Sequence, residues 1–417
     1  MILSKLLKNN LLKDTLVYGL TNAMYTGLPL ILLPFLVVVL EPKDYGMVDL
    51  FRTISMFLVP FLGLSTVQSI GRFYFDLDED TFKKFVSSIQ VFQFFTALVA
   101  TVIVLLIAPW LGHDYTILLL LSISYFLFNQ FCESLLVIFR VKQKAKKYLV
   151  IRVSSIIIEL LILFTLFKVL NKLDWTFRVY PTVMAALLIG ICCCIMFWRM
   201  GYRLFFSKKL LLQALVYSSP LILHMVSGYI LNIGDRFFIK YFLTEEDLGN
   251  YAVAYQIGMA VNFFYTSFNL AWAPTYFKWM KENKISEINK VRKLIYISLP
   301  VFGGLALIGW LIFSSTFIKN SQYTISNQII IIVLIANVIL SLYKFESNLF
   351  LYTKETKRLS LFTFISAVVS IVFNLILIPK IGIMGAAITT LISFITIYLL
   401  VLFNKKKNEK IHQKFTF

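Results

Sequence analysis

The sequence predicts an all-α membrane protein with about twelve transmembrane helices. These form two six-helix bundles related by a pseudo-two-fold axis along the membrane normal. Three observations favour this class: composition, the spacing of apolar runs, and an internal repeat. The chain of 417 residues is 59% hydrophobic and only 15% charged, whereas soluble domains average about 25% charged residues. Composition therefore overrules the two or three soluble domains that length alone would suggest.

Apolar stretches long enough to cross a bilayer recur along the whole chain. A membrane-spanning helix needs about 20 apolar residues. Twelve stretches qualify: 14–40, 46–70, 86–108, 116–139, 148–170, 179–199, 213–242, 248–275, 292–316, 326–349, 359–379 and 382–403. We interpret each as a helix because lipid admits only helices or closed barrels, and the alternating pattern of barrel strands is absent.

Lysine and arginine collect on one face of this predicted topology. The two termini and the loops on their side hold 31 of the 40 lysines and arginines, the opposite face holds 8, and Arg52 lies within a span. Cytoplasmic loops carry the excess of positive charge in membrane proteins, so both termini are expected in the cytoplasm. The same partition accounts for the net charge of +19 without nucleic acid as a partner.

Neither a cofactor nor a metal site is expected. Cys132 and the run Cys192–Cys194 lie in apolar segments and form neither a disulfide framework nor a zinc spacing. The sequence contains no GxxxxGK[ST], so it is not expected to bind ATP through a P-loop. The basic, amphipathic N-terminus has no small-residue cleavage site, which favours its retention.

The chain repeats itself at a nearly constant offset. LEPKDYG at 40–46 resembles LTEEDLG at 243–249, 203 residues later. We interpret this as duplication of a six-helix unit, with an N-terminal bundle at 1–210 and a C-terminal bundle with a basic cytoplasmic tail at 211–417. Because six is even, both halves enter the membrane in the same direction, as in transporters with parallel repeats.

Polar and aromatic side chains form stripes on the first, second, seventh and eighth spans. Successive residues of a helix are rotated by about 100° around its axis, so residues three, four or seven apart lie on the same face. The stripe residues that we predict to bind substrate are Arg52, Asp49, Tyr25, His224, Asp235, Arg236, Tyr255, Asn262 and Asn269. Because intramembrane polar groups face protein or a wet cavity, these stripes predict a central hydrophilic cavity between the halves.

A more ordinary interpretation of the stripes stays open. Each stripe could serve only to hold helices together, with Asp49 and Arg52 forming a local ion pair on one helix face. Tyr251 and Tyr276, at the ends of the eighth span, would then be interfacial anchors, since tyrosine is enriched at both membrane surfaces.

A second polar pair lies on the fourth and fifth spans. Arg140 and Arg152 are expected near the cytoplasm, with Glu133 and Glu159 each seven residues deeper, or roughly 10 Å. Two carboxylates at one depth would favour sharing a proton, so Glu133 and Glu159 are candidates for ion coupling. The alternative is diagonal pairing between glutamate and arginine that only locks the helices.

Four stretches are similar to a known family. They are GDRFFIKYFLTEEDLGNYAVAYQIG at 234–258, NLFLYTKETKRLS at 348–360, NLILIPKIGIMGAAITTLIS at 374–393, and the early EPKDYG. Over nearly its whole length the chain resembles Wzx-like polysaccharide flippases, which move O-antigen (lipopolysaccharide) or capsule repeat units. That group belongs to the multidrug/oligosaccharidyl-lipid/polysaccharide exporter superfamily.

The resemblance implies a transporter rather than an enzyme, with two six-helix bundles in a V shape. The implied substrate is an oligosaccharide on undecaprenyl pyrophosphate, moved from the inner to the outer leaflet of the bacterial cytoplasmic membrane. Membrane lipids, a polysaccharide polymerase and a chain-length regulator are the implied partners. The family's aspartate and arginine on helix 7 match Asp235 and Arg236, and Arg52 is the clearest cavity cation. The cytoplasmic mouth is expected to hold Arg72, Arg140 and Lys344.

Three other functions stay open at this point. A cation-coupled multidrug exporter of the same superfamily would need an acidic cavity, and a lipid II flippase would need a more cationic one. A scaffold that transports nothing would tolerate Arg52→Ala and Asp235→Ala without loss of polymer export. For a transporter, energy would come from an ion gradient, the membrane potential or downstream polymerisation.

Overall fold

The protein is almost entirely helical. The computed structural model describes residues 10–170, 173–318 and 322–415, and within these ranges it contains no β-strand. The side chains of residues 10–16, 20, 22 and 406–415 lie outside the described part. The predicted amphipathic N-terminus and most of the predicted basic tail therefore fall outside the description of side chains.

Fourteen α-helices follow one another in the described ranges. They are α1 (Asn10–Val39), α2 (Pro42–Phe61), α3 (Val67–Phe73), α4 (Glu79–Leu111), α5 (His113–Val141), α6 (Ala145–Val169), α7 (Trp175–Arg199), α8 (Lys208–Ile233), α9 (Asp235–Phe242), α10 (Glu245–Lys281), α11 (Ile285–Phe313), α12 (Asn327–Tyr352), α13 (Thr356–Ile381) and α14 (Ile383–Phe415). A π-helical turn, Ser314–Ile318, extends α11.

Each of the twelve predicted spans coincides with one helix or with two consecutive helices. The second span is divided into α2 and α3, and the seventh is divided into α8 and α9 at Gly234. Ten of the described helices are long and apolar enough to cross a membrane. Of the longer helices, α2 and α10 are not among these ten. The predicted all-α membrane fold is confirmed.

The chain forms two compact units. Unit 1 comprises the chain up to Thr26 together with Leu50–Val226, and unit 2 comprises Gly27–Asp49 together with Ser227–Phe417. Helices α1, α2 and α8 are each divided between the two units. The predicted division into bundles at 1–210 and 211–417 describes how the sequence duplicated, and it stays a prediction.

The core of unit 1 lies where α4, α5 and α7 meet. Phe85 on α4, Leu135 and Phe139 on α5, and Cys193 and Phe197 on α7 are all buried there. Lipid tails are as apolar as these side chains, so close packing rather than exclusion of water holds the helices together. This packing fixes the neighbouring polar side chains of α5, α6 and α7.

The core of unit 2 is built on the contact between α10 and α12. Gly258 of α10 lies against Val333 and Asn337 of α12, and a Cβ atom there would overlap the Val333 side chain. Small residues allow membrane helices to approach closely. The close approach sets the polar residues of α10 and α12 opposite one another further along the two helices.

Candidate functional site

A buried ionic cluster surrounds Arg236 at the start of α9. Arg236 is only 3% exposed, and its guanidinium donates to Asp235 Oδ1 at 2.5 Å and to Asp49 Oδ2 at 3.2 Å. The hydroxyl of Tyr251 donates to Asp235 Oδ2 at 2.5 Å. The ring centroid of Tyr255 lies 4.0 Å from the guanidinium carbon. We call these five residues the Arg236 cluster.

Local sequence explains why Asp235 and Arg236 lie at this point. The helical run breaks at Gly234, so that Asp235 begins α9 and lies in its first turn, where a helix dipole favours negative charge. Two carboxylates then surround one guanidinium, and a buried charge needs such partners. The hydroxyl of Thr390 on α14 lies 3.3 Å from Asp235 Oδ2. No pattern in the sequence indicated this contact.

The predicted stripe residues Asp49, Asp235, Arg236 and Tyr255 are therefore brought together. Tyr251 is fully buried and bonded to Asp235, so the interfacial anchor suggested for it is wrong. The ion pair that the structure gives Asp49 is with Arg236, which lies 187 residues away.

Helices α2 and α10 cross within unit 2 at a pair of glycines. A Cβ atom on Gly46 would overlap the carbonyl oxygen of Glu245, and one on Gly249 would overlap the carbonyl oxygen of Pro42. The 203-residue offset converts one contact into the other, since Pro42 corresponds to Glu245 and Gly46 to Gly249. A reciprocal contact of this kind is what a duplicated helix produces when it packs against its own copy.

Polar side chains of α10 and α12 form a second group, which we call the amide stripe. Lys344 Nζ donates to Asn262 Oδ1 at 2.8 Å. Asn269 Oδ1 accepts from Asn348 Nδ2 at 3.2 Å and from the Tyr265 hydroxyl at 3.0 Å. Asn262 and Asn269 were predicted to bind substrate. Lys344, which was expected at the cytoplasmic mouth, contacts Asn262, and its position at the mouth stays a prediction.

An aromatic cluster continues the amide stripe along α10. Trp272 stacks on Phe345, with ring centroids 5.6 Å apart and planes 11° apart, and it meets Tyr276 and Trp279 edge-on at 5.7 Å. Tyr276 is 4% exposed, so it too is a packed residue rather than an interfacial anchor. Trp272 Nε1 has no hydrogen-bond partner within the described residues, which leaves a donor for a ligand or water.

Unit 1 contains one buried and one partly buried ion pair on α5, α6 and α7. Arg152 donates to Glu133 Oε1 at 2.6 Å, and Arg178 donates to Glu159 Oε1 at 2.7 Å. The Thr182 hydroxyl also donates to Glu159, at 2.9 Å. Arg178 was not selected from the sequence, because it lies at the start of the sixth span, where it was counted as a loop residue.

The expectation that Glu133 and Glu159 lie at one depth is wrong. Helices α5 and α6 run antiparallel, and the ion pair places Glu133 level with Arg152. Glu159 is seven residues further along α6, which is roughly 10 Å along the helix axis. Each carboxylate consequently has its own arginine, and the ion-coupling role stays a prediction.

A small cavity lies beside these ion pairs. Its volume is about 20 Å³, and Tyr25, Tyr125, Arg152 and Glu159 are among its lining residues. The hydroxyls of Tyr25 and Tyr125 are 3.4 Å apart, and the Arg152 guanidinium lies 4.4 Å from the centre of the Tyr25 ring. A polar cavity of this size has room for a water molecule.

The remaining predicted residues are more dispersed. Arg72 is exposed and pairs with Asp76 at 2.5 Å, and the exposed Arg140 lies 5.9 Å from the Tyr148 ring centre. His224 is exposed on α8, and Arg52 is partly buried on α2. Tyr25 contacts Tyr125 and Arg152. As substrate contacts, Arg52 and His224 stay predictions.

Arg178→Leu is expected to destabilise the protein strongly. The change leaves Glu159 buried without its cation, and breaking a buried pair in this way costs about 3–5 kcal/mol. Unfolding of the purified protein in detergent measures the loss. Arg72→Leu is the control, because an exposed pair contributes less than about 1 kcal/mol. Equal stability of the two variants would show that the buried pair has no such role.

An all-helical fold with ion pairs and an amide stripe inside apolar helices is that of a multi-pass membrane protein. The chain belongs to the polysaccharide biosynthesis protein family, whose model matches residues 11–280. The resemblance predicted from the sequence motifs is thereby confirmed.

Two relatives are similar to this chain, one over most of its length and one over less than half. Lsg locus putative protein 1 of Haemophilus influenzae is 24% identical over 409 residues, covering 92% of this chain and 97% of that protein. The probable low-salt glycan biosynthesis flippase Agl15 of Haloferax volcanii is 25% identical over 183 residues, covering 43% of this chain and 38% of Agl15.

Two solved structures share the fold. The lipid II flippase MurJ, in an inward closed conformation, matches with a TM-score of 0.72 and 18% identity, over 92% of this chain and 87% of MurJ. An inward-facing multidrug resistance transporter of the MATE family matches with a TM-score of 0.66 and 14% identity, over 96% of each chain. At these identities the likeness concerns the fold alone.

Proposed function

We propose that the protein is a flippase for a lipid-linked oligosaccharide, whose headgroup contacts the amide stripe. The observation that carries this proposal is the stripe itself, in which amide, hydroxyl and ammonium groups line up inside otherwise apolar helices. Membership of the polysaccharide biosynthesis family supports the same substrate class. No covalent chemistry is needed for this task.

The chemistry of the stripe suits a sugar headgroup. A hydroxyl that loses water without a new partner costs about 4–8 kcal/mol in an alkane-like medium, and an oligosaccharide carries many hydroxyls. Asparagine offers both a donor and an acceptor, and Asn348 Oδ1 and Trp272 Nε1 have no partner within the described residues. These groups replace the water that the sugar loses.

The finer proposal concerns the substrate and its direction. The headgroup is an oligosaccharide repeat unit of an O-antigen or capsule, carried on undecaprenyl pyrophosphate. It moves from the inner to the outer leaflet of the bacterial cytoplasmic membrane, and both termini of the chain face the cytoplasm. Agl15 is named as a probable glycan biosynthesis flippase and MurJ as a lipid II flippase, which supports a lipid-linked saccharide. A polymerase and a chain-length regulator then act on the delivered unit.

Energy coupling is proposed for the ion pairs of unit 1. Glu159 is 7% exposed, and it lines a water-sized cavity together with Arg152 and Tyr25. Protonation of Glu159 would remove the charge that holds Arg178, so Glu159 either binds a proton or forms its ion pair. The same competition applies to Glu133, which is paired with Arg152. This supports Glu133 and Glu159 as the residues through which an ion gradient acts.

Export of cationic drugs fits the described residues less well. A drug cation needs a carboxylate that is not already neutralised. The buried carboxylates of the described part have arginine or lysine partners: Asp235 with Arg236, Glu159 with Arg178, and Glu346 with Lys405 and Arg292. The partly buried Asp49 and Glu133 pair with Arg236 and Arg152. A neutral or anionic headgroup is the better match.

Deleting the gene tests the proposed function in the cell. The deletion strain should accumulate lipid-linked repeat units on the cytoplasmic leaflet and lose the surface polymer, and the wild-type gene should restore both. A deletion strain without a second flippase that keeps normal polymer, but becomes sensitive to cationic drugs, would favour the multidrug exporter instead.

A further inference from the structure

Cations inside the described helices are mostly neutralised by carboxylates, as the pairs of Arg236, Arg152, Arg178 and Lys405 show. Lys344 differs from these residues. Its Nζ donates to the neutral amide of Asn262 at 2.8 Å, and no carboxylate of the described residues lies within ion-pairing distance of 4.0 Å. An ammonium placed among apolar helices without a counter-charge suggests that the counter-charge arrives with a ligand.

The position of Lys344 matches the amide stripe. It lies on α12, about two turns before the helix ends at Tyr352. Its neighbour Phe345 stacks on Trp272, and Asn348, one turn further, is 1% exposed with an unpartnered Oδ1 atom. The ammonium therefore lies among groups that were assigned above to the sugar headgroup.

We propose that Lys344 binds the diphosphate of the lipid-linked substrate, an inference that rests on the proposed function. A lysine ammonium has three N–H donors, and one of them bonds to Asn262. The other two are directed to phosphate oxygens, and the amide nitrogen of Asn262 adds a further donor. Asn348 Oδ1 accepts from a hydroxyl of the first sugar.

The charge of the ligand distinguishes diphosphate binding by Lys344 from binding of sugar alone. Amides can form hydrogen bonds with sugar hydroxyls without an ammonium, whereas a diphosphate supplies the counter-charge that Lys344 does not have in the protein. Lysine binds phosphate as a point charge, so affinity should depend on charge more than on geometry. Arginine at this position should retain binding, and a neutral side chain should lose it.

Binding of undecaprenyl diphosphate to the purified protein in lipid nanodiscs tests the proposal. We expect Lys344→Gln to weaken binding at least about tenfold and to reduce its dependence on salt, and Lys344→Arg to keep most of it. Binding of undecaprenol, which has no phosphate, should not change. Lys240→Gln is the matched control, because Lys240 already pairs with Glu245 at 2.5 Å. Wild-type affinity in Lys344→Gln would overturn the proposal.

Asn262→Asp provides a second variant that keeps the lysine. An aspartate next to Lys344 supplies a permanent counter-charge, so diphosphate binding should fall as in Lys344→Gln. Unchanged binding in this variant would also contradict the assignment.

Transport separates failure of the proposal from failure of the proposed function. If the wild-type protein in vesicles moves no lipid-linked oligosaccharide, the flippase function is wrong. If the wild-type protein moves it and Lys344→Gln moves it equally well with equal affinity, only the role of Lys344 is wrong.

Discussion

Arg236→Leu is expected to cause the largest loss of stability and export that a single change can produce in this protein. The variant leaves the buried Asp235 and the partly buried Asp49 without their shared guanidinium. Removing one partner of a buried ion pair costs about 3–5 kcal/mol, and two uncompensated carboxylates in one cluster repel each other. Unfolding in detergent and the yield of folded protein measure the effect.

A neutral version of the cluster is the control for this prediction. The triple variant Asp49→Asn, Asp235→Asn, Arg236→Leu has no charge left to compensate, and replacing a complete buried ion pair by neutral groups is often tolerated. It should recover most of the stability lost in Arg236→Leu. If Arg236→Leu is as stable as the wild type, the ion pairs contribute nothing and the cluster has been misinterpreted.

Gly249→Ala should also destabilise the protein strongly, by a steric rather than an electrostatic effect. The new Cβ atom would overlap the carbonyl oxygen of Pro42, and backbone cannot give way as the end of a side chain can. Overpacking costs about 1–3 kcal/mol, and we expect a loss of about 3 kcal/mol because backbone atoms are involved. Gly46→Ala should behave in the same way, since its Cβ would meet the carbonyl of Glu245.

Gly304→Ala on α11 is the matched control. No atom lies within 4 Å of its Cβ position, and alanine is better than glycine in a helix by about 1 kcal/mol. Unfolding of the three variants in the same detergent should rank Gly304→Ala above the wild type and the other two below it. A Gly249→Ala protein as stable as Gly304→Ala would show that α2 and α10 do not cross at these glycines.

The sequence predicted the helices well because lipid leaves few choices. Each apolar run of about 20 residues had to be a helix, and the twelve runs reappear as helices. The repeat at 40–46 and 243–249 predicted a duplication, which stays a prediction, and the two copies of the motif lie in contact at Gly46 and Gly249. These features depend on local pattern, which a single chain displays directly.

Partners across the fold could not be predicted in the same way. Helical periodicity gives the face on which Asp49 lies, but it does not give Arg236 as the partner. The predicted span at 326–349 contains Lys344, but the sequence does not show that its ammonium lies against Asn262 of α10. Arg178 was overlooked because it was counted with a loop, whereas α7 begins at Trp175 and makes it a helical residue.

Tyr251 shows a further limit of sequence patterns. A tyrosine near the end of a span is usually an interfacial anchor. Here its hydroxyl serves the buried carboxylate of Asp235, which lies on another helix. This role can be recognised only when the packing of α10 against α9 is known. The contact of Thr390 with Asp235 likewise requires the position of α14.

Movement of a labelled headgroup in reconstituted vesicles tests the central claim most directly. The purified protein is incorporated into lipid vesicles with undecaprenyl diphosphate carrying a fluorescent oligosaccharide, and an external glycosidase reports which leaflet holds the sugar. The account predicts that the protected fraction becomes accessible in vesicles with the protein and stays protected in empty vesicles. A protected fraction that does not change, in vesicles that nevertheless transport a cationic dye, would contradict it.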